Sequence, residues 1–231
     1  MHAPDLAAKP VDDGRTTTGR VLAALPRDAA LAEVRATDRR PLLIVRECDR
    51  CKGTDDALLD RRLDNEKTIL MTRWFRCVKL PNTVLEDNHP YRNLFQGEHP
   101  PHLFLCRYDG SEPVALFGEQ TQSQLWDAME ALVAREYQGN IRTAVKGLLR
   151  LLNDYDALDS RERELRVRLE ETIDKDGDKS LKVRDLRKKI DALQREREQL
   201  KAREDKLGDL GLRPLDDEAA AKPSAAEAKR G

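Results

Sequence analysis

Four cysteines, Cys48, Cys51, Cys77 and Cys106, are the residues of this 231-residue chain whose type and spacing most directly suggest chemistry. In Cys48-Asp49-Arg50-Cys51 two thiols stand three positions apart, a spacing that lets one sulfur resolve a mixed disulfide formed on the other. Cys51 follows an apolar run by a short loop and immediately precedes a helical pattern, with Arg50 and Lys52 beside it. Backbone N–H groups at a helix start and neighbouring cations both favour a thiolate, the form that attacks disulfides. The plain alternative is a small residue packed at a loop end, and local context leaves both open. Cys77 and Cys106 lie inside apolar runs and are expected to be buried, inert thiols. Zinc would need two further ligands converging on Cys48 and Cys51, and His89, His99 and His102 have no paired spacing.

A second constellation is acidic. The twelve residues from Asp174 to Asp185 resemble an EF-hand calcium loop, with oxygen donors at Asp174, Asp176, Asp178, Ser180 and Asp185 and an apolar Leu181 at the eighth position. Two positions depart from that pattern. The sixth is Lys179, where the loop turns on Gly, and the twelfth is Asp185, shorter than the bidentate Glu. A polar turn between two helices uses the same residue types. Calcium is therefore a candidate ligand, and no cofactor is required.

The elements that must position the thiols follow from periodicity. Residues 1–19 read as a flexible leader. Pro26 with Ala29, Leu31, Ala32 and Val34 predicts a short helix, and Leu42, Leu43, Ile44 and Val45 predict a strand covered on both faces. Residues 54–73 read as helical, with a break at Asp64-Asn65. A second strand is expected over 75–80, loop and short helix over 82–100, and a third strand over 103–106. The turn Tyr108-Asp109-Gly110-Ser111 then leads into a returning strand over 114–117, and a helix over 122–137 closes the unit. Strands separated by helices pair in parallel and the hairpin adds an antiparallel edge, so the fold class is α/β with a mixed central sheet flanked by helices.

The segment PLLIVRECDRCKGTDDALLDRRLDNEKTILMTRWFRCVKLP, followed by PPHLFLCRYDGSEPVALFGEQTQSQLWDAMEAL, resembles the thioredoxin superfamily in order and spacing over about half of the chain. The resemblance implies a thioredoxin-like domain over 20–138. It also implies an altered active site, because counting from Pro41 and back from Phe75 puts the first family cysteine on Cys51 and the second on Thr54. Cys51-Lys52-Gly53-Thr54 would then be the site, with the Thr54 hydroxyl a hydrogen-bond donor to a Cys51 thiolate and Cys48 a substitute resolving thiol. Pro101 takes the place of the family's cis-proline beside the sulfur. The residue before it, Pro100, has no backbone N–H with which to pair a substrate. Glu47 and Arg50 stand where relatives often carry apolar residues, and read here as a solvated loop.

From 139 the pattern changes. Ile141, Val145, Leu148, Leu152 and Tyr155 keep alternating four-three spacing, as do Leu186, Ile190, Leu193, Leu200 and Leu207, with charges in the heptad slots at Arg197 and Glu204. A helical hairpin or coiled coil is expected over 139–207, turning near 174–180, and a disordered tail over 208–231. Charged residues make up 37% of the chain and aromatics 4%, which fits a globular part joined to exposed helices. A net charge of −1 gives no bulk field for nucleic acid or anionic membrane, and no apolar run has spanning length. The expectation is a soluble cytoplasmic protein. Two functions compete: thiol–disulfide chemistry through Cys51 on a protein or small thiol substrate, or a redox-inactive adaptor that docks a partner or forms a homo-oligomer through its helices.

Overall fold

The computed structural model describes residues 23–48, 64–117 and 120–215. Two compact units divide the chain after Gln138, and the second, Gly139–Leu210, hands the chain back to the first at Gly211.

In the first unit, helix α1 (Arg27–Arg35) starts at Pro26, whose fixed φ suits a first turn and whose carbonyl accepts the Ala30 N–H at 2.9 Å. Its buried stripe is Ala30, Leu31 and Val34. Strand β1 (Leu42–Arg46) is buried at every position, which is why its apolar run is unbroken rather than alternating. Helix α2 (Glu66–Met71) begins just after Asp64, whose side chain accepts the Glu66 N–H, and tightens into a 3₁₀ turn at Thr72–Trp74. The expected break at Asp64-Asn65 is thus a helix start; residues 54–63 of the expected helix lie outside the described residues.

Strand β2 (Arg76–Leu80) pairs parallel to β1, with Arg46 opposite Leu80. Strand β3 (Leu103–Cys106) pairs antiparallel on β1's other side, and β4 (Val114–Leu116) antiparallel to β3. The described strands form a mixed sheet in the order β2-β1-β3-β4. One face, with Leu42, Ile44, Val78, Leu80, Phe104 and Cys106, packs into a core with α1 and with Val84, Tyr91, Leu94 and Phe95 from the turns before β3. Strand alternation sends Leu43, Val45, Leu103 and Leu105 to the opposite face. There α3 (Gln122–Glu136) packs on β3 and on α2, burying Leu125, Met129, Leu132 and Val133. A Thr121–Gln124 capping box fixes the start of α3. The α/β class and mixed sheet agree with the expectation.

The second unit is two helices, α4 (Ile141–Asp176) and α5 (Leu181–Gly208), capped by the Asn140 and Ser180 side chains. Ile141, Ala144, Val145, Leu148, Leu151 and Leu158 form the buried stripe of α4, so Ile141, Val145 and Leu148 lie inward as expected while Leu151 is buried and Leu152 only half-buried. The charged heptad slots are occupied as pairs. Arg197 bridges Glu162 at 3.2 Å, and the Tyr155 hydroxyl donates to Glu204 at 3.3 Å. At the base, the Gly139 N–H donates to the Leu210 carbonyl at 2.9 Å, and a Cβ on Gly139 would meet Leu210 backbone atoms at 3.2 Å. Within the first unit, Gln138 and Arg213 extend this pairing to Gly211 and Glu136, with a bridge between Tyr137 and Leu212. Residues 208–215 are therefore tied down, although they were expected to begin a disordered tail. A single buried Leu210 and three backbone hydrogen bonds do this without any periodic signal.

The link between α1 and β1 is held by charge. Asp38 accepts from the Arg40 guanidinium at 2.6 to 3.1 Å and lies 4.0 Å from Arg76. Burial alone would favour the neutral acid. The hydrogen bonds from Arg40 and the charges of Arg40 and Arg76 outweigh it and hold the carboxyl below its ordinary range. A depressed folded-state pKa contributes stability above the unfolded value near 3.9, and that stability is lost as pH falls through the folded value. In urea unfolding, the deficit of Asp38→Asn relative to the parent chain is expected to be full at pH 6 and to shrink steadily below about pH 4. A deficit unchanged down to pH 2.5 would contradict this account.

Candidate functional site

The carboxyl ends of β1 and β2 and the start of β3 meet at one end of the sheet, where strands on either side of β1 run in opposite directions. In open α/β sheets this is where crevices form. Arg46 closes β1 there. It is buried to 6% exposure, and no carboxylate among the described residues pairs with it. Its hydrogen bonds go instead to three successive carbonyls: backbone N–H to His102 at 2.9 Å, Nε to Pro101 at 3.1 Å and a terminal guanidinium nitrogen to Pro100 at 3.0 Å. Burial lowers its pKa without removing the charge. The next residue, Glu47, donates its N–H to the Leu80 carbonyl at 2.8 Å, and its carboxylate pairs with Lys79 at 2.9 Å, both side chains part exposed.

Cys48 follows directly and is disulfide-bonded. Cys77 and Cys106 are free thiols. Burial pushes Cys77 up to about 11 and Cys106 up to about 12, so both stay protonated at neutral pH. His102, at the entry to β3, has its pKa lowered by burial and by the Arg46 charge, which keeps the imidazole neutral there. His89 is committed locally, its Nδ1 accepting the Tyr91 N–H at 3.1 Å, and His99 is exposed.

Of the residues singled out by sequence, Cys51 and Thr54 lie outside the described residues, as does Arg50. Pro101 sits at this end of the sheet, one residue before His102, but no described peptide bond is cis, so the bond before it is trans rather than cis as the resemblance implied. Arg46 accounts for the segment's position instead, because it holds both proline carbonyls from the neighbouring strand. Sequence reasoning passed over Arg46. Its one signal was a cation in direct continuation of a fully buried strand, a position that must find acceptors.

The acidic turn does not gather its oxygens. Asp174 and Asp176 remain in the last turn of α4, Ser180 caps α5 through the Val183 N–H, and Asp185 lies on α5. Asp176 pairs with Lys182 at 2.9 Å, Asp178 with Arg187, and Asp185 with Lys189 at 3.0 Å. Among the described residues, no group of three or more His, Cys, Asp or Glu side chains is placed to hold a metal ion. The chain reverses at Gly177, the fourth position of the expected loop, rather than at the sixth, which accounts for the dispersal.

No helix among the described residues is long and apolar enough to cross a membrane. No protein-family model, curated protein or solved structure matches the chain.

Gly177 has φ 81° and ψ 156°, a region open to little but glycine, and a Cβ there would touch nothing within 4 Å. The cost of Gly177→Ala is therefore backbone strain alone, about 1–3 kcal/mol. Thermal unfolding followed by circular dichroism is expected to show that loss, whereas Lys179→Ala, a surface change beside it, should stay within about 0.5 kcal/mol.

Proposed function

We propose that the first unit is a thioredoxin-like domain performing thiol–disulfide exchange through the Cys48 disulfide. The observation that carries this reading is chemical: one cysteine, at the carboxyl end of the central strand, is disulfide-bonded while Cys77 and Cys106 remain buried thiols. Cys51, which lies outside the described residues, is the partner this reading assigns to Cys48. That favours Cys48, rather than Thr54, as the group that resolves Cys51. The sheet order supports the reading too, since β1 and β2 pair in parallel, β3 runs antiparallel to both, and a proline-led segment enters β3 beside the site.

In sequence, Arg50 and Lys52 flank Cys51, and neighbouring cations favour a thiolate. The Lys79–Glu47 pair offsets itself and adds little net field. In this reading reduced Cys51 attacks an external disulfide as its thiolate and is released by Cys48.

A second reading, a redox-inactive adaptor acting through its helices, draws on the exposed apolar side chains near the hairpin turn, Leu181 at 79% and Val167 at 50% exposure.

One experiment separates them. The full chain is equilibrated in glutathione buffers of graded potential, quenched, alkylated and weighed. The redox reading expects a reversible two-thiol transition abolished by Cys48→Ser, and a Cys51 alkylation profile centred at least one unit below the ordinary value of about 8.5. Irreversible oxidation, or an ordinary thiol profile, would leave the adaptor reading standing alone.

A further inference from the structure

Each helix of the hairpin carries a second stripe on the side away from the seam. On α4 it runs through Ala157, Ser160, Glu164, Val167, Glu171 and Asp174, at a three-four spacing like that of the seam but turned to solvent, with Val167 half exposed. On α5 it runs through Arg184, Lys188, Asp191, Arg195, Glu198 and Ala202, all exposed. Charges at the seam edges are matched inside the hairpin, Arg161 with Glu196 at 2.9 Å and Arg197 with Glu162 at 3.2 Å. The outer ones are not. Glu164, Glu171 and Asp174 on α4 make no ion pair among the described residues, nor do Arg184, Lys188 and Arg195 on α5. The two stripes lie on opposite sides of a helix pair about 20 Å across, so they cannot reach each other within one copy.

The pairs across the seam set the levels of the hairpin. Glu162 stands opposite Arg197 and Tyr155 opposite Glu204, so each residue up α4 is matched by one residue back along α5. On that count Glu164 is level with Arg195, Arg168 with Asp191 and Glu171 with Lys188, and Asp174 is within one residue of Arg184. The outer charges of distal α4 are thus met, at their own height, by opposite charges on α5. Ala157 and Ala202 are also level, and small side chains let two helices come close. We infer that the occupant of these faces is a second copy of this chain. The hairpins stand side by side with their turns level, the outer face of α4 in one copy against the outer face of α5 in the next. The touching helices run antiparallel, as they do inside the hairpin. Glu164, Glu171 and Asp174 pair with Arg195, Lys188 and Arg184 of the next copy, Arg168 pairs with Asp191 at the edge, and Val167 is covered. Such a contact is heterologous, so further copies add in a row or ring rather than stopping at a two-fold dimer. It goes beyond the thiol chemistry, depends on none of it, and supplies the partner that the adaptor reading leaves open.

Analytical ultracentrifugation of the full-length chain tests this, with thiols kept reduced so that no disulfide links copies. Exposed ion pairs are individually weak and screened by salt, so association is expected to rise with concentration in about 20 mM salt and to be roughly tenfold weaker in about 500 mM. Glu164→Lys with Glu171→Lys gives one variant two basic outer faces, and Lys188→Glu with Arg195→Glu gives another two acidic ones. Each variant alone is expected to stay monomeric. Mixed in equal amounts they present opposite faces again and should associate to the parental extent, which also shows that both fold. A parent chain still monomeric at about 0.5 mM in low salt would overturn the proposal. So would association that both double variants leave unchanged, or variants with parental helical circular dichroism that fail to recover on mixing. Each of these outcomes removes self-pairing and leaves the thiol reading untouched.

Discussion

A guanidinium at the end of a strand covered on both faces must find acceptors or cost several kcal/mol. Arg46 meets that demand with three consecutive carbonyls from the segment that leads into β3. The consequence runs outward in sequence. The entry to β3 is pinned beside the carboxyl end of β1, and Glu47 is left to pair with β2. No carboxylate compensates the charge among the described partners, and its field reaches the His102 imidazole.

The geometry also inverts the usual role of a proline-led strand entry. Proline normally marks such a site by its own conformation, but here the Pro100-Pro101 bond is trans and the restraint comes from across the sheet. Prolines remove donors and Arg46 removes acceptors.

Element identity was legible in the sequence wherever period and length agreed. The apolar runs at Leu42 and Leu103 and the four-three spacing from Ile141 each indicated the element that forms there. The parallel pairing of β1 with β2 and the antiparallel β3–β4 hairpin followed from what joins them, but β3 running antiparallel to β1 did not. What was not legible depended on partners far apart in sequence. Nothing around Arg46 indicates that residues 100–102 are its acceptors. Composition around Asp174 does not reveal that Asp176, Asp178 and Asp185 pair with Lys182, Arg187 and Lys189. The inward Leu151 differs from the expected Leu152 by one position, about 100° of helix rotation, which a short seam cannot distinguish. Residues 210–213 had no pattern at all, because their order derives from backbone pairing and one leucine.

The pairing of Gly139 with Leu210 means that the hairpin leaves and rejoins the chain at a single foot. An insertion anchored this way has a length that evolution can reset in whole seven-residue steps, added or removed on both helices together. Each step preserves the phase of the apolar stripe and leaves the glycine reversal at the far end intact, so reach can be tuned with no change to the sheet that carries the sulfur.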